Sequence, residues 1–448
     1  LPYIHKCHQI LIALPRPLAR GERAVIRVDA TEDTIIQLTP HSYWIYSDSA
    51  WFPRIGDKGG RYTIDWTVKV AKPMTAAGSG DLVREWTEDK MNCAEWRSDF
   101  PVMIPSFIFG DFDRVEDVYK RAPPATGEVK LRLYAIAGGA VAVRGKTENI
   151  FFNIKQGLEH YEAIFGPFPF GELDITQMAE GVPFSQSPPG VLFISGEALK
   201  GGGGGGRIDQ HIFHELAHQW WGTKVGWVGP ENDWISESMA EYASGLLTEG
   251  IDPSRFRQQL KEWRQGAEEA DDKASIADAY ESDMPGMRNR LIYDKGPCVV
   301  HMLRTWMGWE KFTRLTSTLQ EKYKGRSINT DTFAREASRI MGYDMFPFFD
   351  QWIRDQGIPR VHDSWTTSPT PDGKFIVTLH VRQEDAANFK ILMMPISFDF
   401  GGKEPTVIMK PIVKPDQEIQ VKVPARPRDV RLDDDGTQLA VISQDGKG

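Results

Sequence analysis

The sequence predicts a multidomain α+β protein: a β-rich N-terminal part, a mainly helical middle and an all-β C-terminal part. Two observations carry this. Apolar residues alternate with a period of two up to about residue 143, recur at three and four residues through the middle, and return to two after about residue 357. At 448 residues the chain is also too long for one ordinary hydrophobic core, and no internal repeat is evident. The expected divisions are 1–143, 144–357 and 358–448.

In the first part, "QILIAL", "RAVIRVDA", "YTIDWTVKV" and "VKLRLYAIA" are short runs rich in β-branched and aromatic residues, bounded by turn-forming clusters, and each reads as a strand. The period then changes in "TENIFFNIKQGLEHYEAIFG". Ile154, Leu158, Tyr161 and Phe165 share one face of a helix, which Gly166-Pro167 stops. "VLFIS" at 191–195 reads as a strand. The glycines Gly201 to Gly206 read as a mobile loop or as a stand-in for unidentified residues. From Ile208 to about Asp355 the pattern is helical, with "EEADDKAS" (268–275) expected as a hydrated loop. "KFIVTLHVR", "ILMMPISFDF", "TVIMKPIV" and "EIQVKV" then alternate as an all-β module.

Composition excludes several classes. The formal net charge is -9 with no basic stripe, which argues against a nucleic-acid surface. Cys7, Cys93 and Cys298 are scattered and lack C-x-x-C spacing, so no disulfide framework or zinc knuckle is expected. No apolar run approaches the roughly 20 residues of a membrane span. A soluble protein is expected, with export through a leader upstream of Leu1 left open. Oligomeric state is not legible.

The chemistry concentrates in "HIFHELAHQWW", 211–221. His214 and His218, four apart, project from one helix face about a turn from each other, so two imidazoles can reach one tetrahedral Zn²⁺. Glu215 points to the open side of such an ion, where a carboxylate can take a proton from water and return it to a leaving amine. Two histidines leave the ion short of a protein ligand. Nineteen residues after His218, Glu237 in "DWISESMAEYAS" supplies one carboxylate from a second helix, and the resulting site keeps a position open for water. Glu241 shares the face of Glu237 and either accepts the outer N–H of a ligand histidine or faces solvent. His211 is expected in helix packing, and Trp220, Trp221, Trp227 and Trp234 in the core or a cleft wall. Gly222 is expected to end the metal helix. The N-terminal trio His5, Cys7 and His8 lacks a partner cluster and reads as a strand.

"HELAHQWWG" followed by "WISESMAEY", with "YDKG" at 293–296, resembles the aminopeptidase N family of zinc gluzincins. "WFPRIGDKG", "SFIFGDFDR" and "WIRDQGIPR" extend the resemblance over most of the chain. It implies a thermolysin-like zinc catalytic middle between a β-domain and a C-terminal β-sandwich, with the large terminal helical domain missing and the first domain incomplete at its start. It also implies that Tyr293 donates a hydrogen bond to the oxyanion of the tetrahedral intermediate. A phenol, protonated at neutral pH, suits that role.

One element departs from the family. Its aminopeptidases carry G-x-M-E-N before the metal helix, and that glutamate captures the substrate's α-amino group. Here the stretch reads "GVPFSQSPPGVLFIS", and alignment on Gly190 puts Ser187 at the glutamate and Pro188 at the asparagine. A serine cannot pair with an ammonium group. Glu180 lies just upstream at the wrong spacing, Gln186 is a neutral candidate for the cleft lining, and the prolines remove backbone donors for an added strand. Three functions follow as expectations: an aminopeptidase-like zinc peptidase acting on peptides, a peptidase for internal or N-terminally blocked bonds, and a zinc-bearing scaffold without turnover. The presence of Glu215 and Tyr293 counts against the last, since neither is needed merely to hold metal.

Overall fold

Strands Phe112–Lys120, Glu128–Ile136, Glu172–Gln177 and Val191–Ile194 form one sheet in that order, the first pair antiparallel and the others parallel. Parallel neighbours need a crossover, and the helix Arg144–Phe165 supplies the one between the second and third strands. The sheet therefore has strands on both sides of residue 143. The structure, a computed structural model, describes the chain apart from residues 1, 2, 7, 8, 32, 46–50, 55–59, 124, 140–143, 201–206, 271, 272, 282–285, 385–388, 403 and 448. The six-glycine run, together with Cys7 and His8, lies outside the described residues.

The crossover helix buries the stripe read from its sequence: Ile154, Leu158, Tyr161 and Phe165 are all 0% exposed. Each such aliphatic or phenylalanine side chain contributes roughly 1.5–3 kcal/mol over leaving it in water. Gly166, at φ 85, closes the helix with its N–H on Glu162 O. Gly157 lets it approach the next long helix, Arg207–Ala217, because a Cβ there would stand 2.6 Å from Leu216 Cδ2.

The N-terminal part holds two further sheets. One runs Ile35–Thr39, Ser42–Ile45, Phe107–Gly110, Thr75–Gly78, and the other Asp65–Ala71, Met91–Arg97, Asp81–Glu88. "RAVIRVDA" does not form the expected strand. It pairs with nothing among the described residues, and Val25 is 98% exposed. Its β-branched content has no sheet edge to satisfy its backbone.

The middle is helical through Glu237–Ile251, Pro253–Glu269, Gly296–Met307, Trp309–Lys322 and Thr330–Met341. Asp252 caps the second of these by accepting from Ser254 N and Arg255 N, with Pro253 at the first helical position. That helix runs two residues into "EEADDKAS", and Ser275 at its far end is buried rather than hydrated, its hydroxyl on Asp278. No helix among the described residues is long and apolar enough to cross a membrane.

The C-terminal strands form two facing sheets. One is ordered Asp416–Val423, Phe375–Gln383, Arg360–Pro369, Val441–Lys447, and the other Thr406–Ile412, Leu392–Asp399, Asp429–Leu432. Val377, Leu379 and Val381 of the first and Met394, Ile396 and Phe398 of the second belong to one buried cluster, as a β-sandwich requires. At the other end, Arg61 ties the N-terminal part to the turn after the metal helix. Its guanidinium donates to Pro101 O, Gly222 O and Thr223 O.

Candidate metal centre

The helix Arg207–Ala217 carries His214 and Glu215, and His218 follows one residue beyond its end with its N–H still directed to His214 O at 3.3 Å. Gly222 does not end this helix. The helix stops at Ala217, and the chain continues through bonds five residues apart, such as Thr223 N to His218 O. Gly222, at φ 122, instead makes the following turn, where a Cβ would meet Ser236 Oγ at 2.9 Å. Glu237 opens the helix Glu237–Ile251, where the positive end of the helix dipole favours a carboxylate.

These elements bring His214, His218 and Glu237 together, with ligand atoms within 4.8 Å of one another. The two Nε2 atoms are 3.1 Å apart, and Glu237 Oε2 lies 3.5 Å from the first and 3.4 Å from the second. Each imidazole is oriented from behind. His214 Nδ1 lies 2.9 Å from Glu241 Oε2, and His218 Nδ1 lies 3.0 Å from Trp221 O and 3.2 Å from Ser236 Oγ. The choice left open for Glu241 resolves toward the histidine, and Trp263 Nε1 donates to its other oxygen at 3.2 Å. Burial opposes charge on both histidines, yet Glu237 and Glu241 hold His214 well above its ordinary range, and Glu237 raises His218. Burial likewise opposes charge on Glu237, and the two imidazoles outweigh it and keep that carboxyl well below its usual range.

Tyr293 lies in a π-helical segment, Arg290–Lys295, an irregularity often found where a side chain must be re-aimed. Its hydroxyl donates to Glu237 Oε2 at 2.8 Å. Burial and then the charge on Glu237 push this phenol far above its ordinary range, so it stays a donor. The Arg288 guanidinium, 5.7 Å from the ring centroid, pulls the other way and is itself paired with Asp233 at 2.8 Å.

All five predicted site residues line one cleft of about 790 Å³, whose walls include Met103 and Ile104 from the N-terminal part and Trp227. His211 is exposed on the cleft rim rather than packed between helices, because its face of the helix looks outward. Trp220, Trp221 and Trp234 are core. Glu180 is exposed and is not among the residues lining the cleft.

The peptidase family M1 domain matches residues 205–352, the stretch that holds all five residues. The chain is 24% identical over 319 residues to aminopeptidase M1-B of Oryza sativa subsp. japonica, covering 66% of this chain and 34% of that protein. The likeness to the peptidase family M1 domain thus falls on the stretch that carries the candidate site. A leucyl aminopeptidase of Saccharolobus solfataricus is 22% identical over 366 residues, covering 77% of this chain and 44% of that protein. Among solved structures, aminopeptidase A of Legionella pneumophila in complex with aspartic acid shares the fold, with a TM-score of 0.69 at 13% identity over 91% of this chain and 48% of that one. The chain spans about a third to a half of the length of these relatives.

The segment before the helix Arg207–Ala217 borders the cleft. Gln186 pairs with Phe193 through both backbone bonds (2.9 and 2.7 Å), which adds residue 186 to the sheet edge. Ser187 points at Glu215: its Oγ is 2.6 Å from Oε2 and 2.8 Å from the Glu215 carbonyl. The sequence marked Ser187 only as a replaced glutamate. Its contact with Glu215 depends on the pairing of residues 186 and 193, for which no sequence signal exists.

Proposed function

We propose that this chain is an aminopeptidase-like zinc metallopeptidase in which His214, His218 and Glu237 hold the ion, Glu215 is the general base and Tyr293 the oxyanion donor. The observation that carries the reading is the convergence of two imidazole nitrogens and one carboxylate oxygen within 4.8 Å, inside a cleft that Glu215 and Tyr293 also line. The donor set suits zinc. With both Nδ1 atoms facing acceptors, two bare Nε2 lone pairs 3.1 Å apart repel unless a cation or proton lies between them. When bound, zinc acidifies a water molecule and polarises the scissile carbonyl. Glu215 takes the proton at its carboxylate and delivers it to the departing amine. The Tyr293 O–H turns to the oxyanion developing on the substrate carbonyl. Of the units 1–143, 144–357 and 358–448, the middle one carries the chemistry, although the boundary at 143 divides the sheet that Phe112–Lys120 and Glu128–Ile136 share with Glu172–Gln177 and Val191–Ile194.

A second reading, cleavage of blocked or internal bonds, draws on the edge segment: no carboxylate lies between Gly181 and Ser195, and Ser187 faces Glu215. One experiment separates the two. A short peptide with a free N-terminus and its N-acetylated form are incubated with zinc-loaded protein, and the products are mapped by mass spectrometry. The expected result is loss of single N-terminal residues from the free peptide alone. Cleavage of the acetylated peptide establishes the second reading, and cleavage of neither by zinc-bound protein overturns both.

A further inference from the structure

We propose that Ser187 is a positioning residue for Glu215: its hydroxyl fixes the rotamer of that carboxylate and leaves the other carboxylate oxygen to meet water. The inference rests on the reading of Glu215 as the base. Among the described residues, Ser187 is the one hydrogen-bond donor to the Glu215 carboxylate, at 2.6 Å to Oε2. A hydroxyl on an ionised oxygen at that distance makes a charge-assisted bond, stronger than a neutral pair. The same hydroxyl stands 2.8 Å from the Glu215 carbonyl, a second acceptor for its single proton, so it is confined beside the base.

The grip is firm because Ser187 has little freedom of its own. On one side, Gln186 is locked to Phe193 of the sheet by a reciprocal backbone pair. On the other, Gln219, wholly buried one residue past the second histidine, donates Nε2 to Pro188 O at 3.0 Å and accepts from Gly190 N at 2.9 Å. Gly80 N completes the clamp on Pro189 O at 2.8 Å. The helix Arg207–Ala217 thus carries the base, and the chain just past its end carries the amide that fixes the segment holding the base. A carboxylate with one oxygen tethered loses less torsional entropy on reaching its working position, which is the logic of preorganised catalytic groups.

The test compares Ser187→Ala, Ser187→Thr and wild type, each loaded with zinc. The expected outcome for Ser187→Ala is kcat lower by about 10- to 100-fold, with KM within about twofold and zinc stoichiometry unchanged. Ser187→Thr keeps the hydroxyl and is expected to recover most of the rate. Equal kcat in Ser187→Ala and wild type, a loss confined to KM, or equal damage in both variants overturns the assignment. Crystal structures give a readout independent of turnover. One Glu215 rotamer in wild type and Ser187→Thr but several in Ser187→Ala supports the role, and a single unchanged rotamer in Ser187→Ala overturns it. If wild type cleaves no peptide, the proposed activity fails while the rotamer comparison still decides the role of Ser187.

Discussion

At the residue scale, Glu215 and Tyr293 are separable by what each loses on mutation. Glu215→Gln keeps the size of the side chain and touches no proposed ligand atom. It is expected to bind zinc stoichiometrically and to lose turnover by at least about 10²-fold, the lower end of general-base contributions. Retained turnover removes the base assignment. Tyr293→Phe also deletes the hydrogen bond to Glu237. Its expected loss lies in kcat, and an effect on KM alone sinks the oxyanion role. Glu215, with His214, His218 and Glu237, was picked out by spacing of four and a second helical glutamate, which translate directly into positions on helix faces, whereas Tyr293 was picked out only by the resemblance of "YDKG" to a family motif. Ser187 was legible only as a departure. Its partner is fixed by the meeting of an edge segment and a helix 28 residues away in sequence, and local periodicity carries no information about such a meeting.

At the scale of elements, the helix Glu237–Ile251 is braced by a buried polar pair whose protonation sets an acid limit. Tyr242 on that helix and His301 on Gly296–Met307 meet at 3.0 Å, and burial, with some help from Arg304, pulls His301 down to about 3. Its folded pKa thus lies below the ordinary value of 6.5, and as pH falls the unfolded chain takes up the proton first. Stability supplied by the neutral imidazole is therefore full above about 6.5 and drains away between there and about 3, amounting to about 3 kcal/mol by pH 4. Urea titrations from pH 7 to pH 4 are expected to show this slope in wild type and a shallower one in His301→Gln, and parallel slopes discount His301. The helices themselves, and most of the strands flanking them, followed from apolar period. The exceptions have local causes. "RAVIRVDA" has strand composition but no neighbour to bond with, and the metal helix ends five residues before Gly222 because His218, Gln219 and Trp220 bond to amides five residues on.

At the scale of the molecule, the cleft is a joint between parts, and Arg61 is one of its fasteners. The guanidinium is half-buried against three carbonyl oxygens, and desolvation lowers it to about 10, so it remains charged under ordinary conditions. Arg61→Ala leaves carbonyls of Pro101, Gly222 and Thr223 without this donor and is expected to cost about 1–3 kcal/mol, read as a fall in the unfolding midpoint. An unchanged midpoint would mean that water replaces the side chain at no cost. No sequence pattern announces such a contact, because it joins residues 161 and 162 positions apart. The edge of the cleft has the opposite character. Apart from the Ser187 hydroxyl on Glu215, the hydrogen bonds that set the course of residues 186–190 fall on main-chain atoms: the amide and carbonyl of Gln186, the carbonyls of Pro188 and Pro189, and the amide of Gly190. Position 187 is therefore a socket whose wall does not depend on its occupant. The side chain there can be exchanged without rebuilding the scaffold, so what the cleft edge offers to Glu215 can change while the fold stands still.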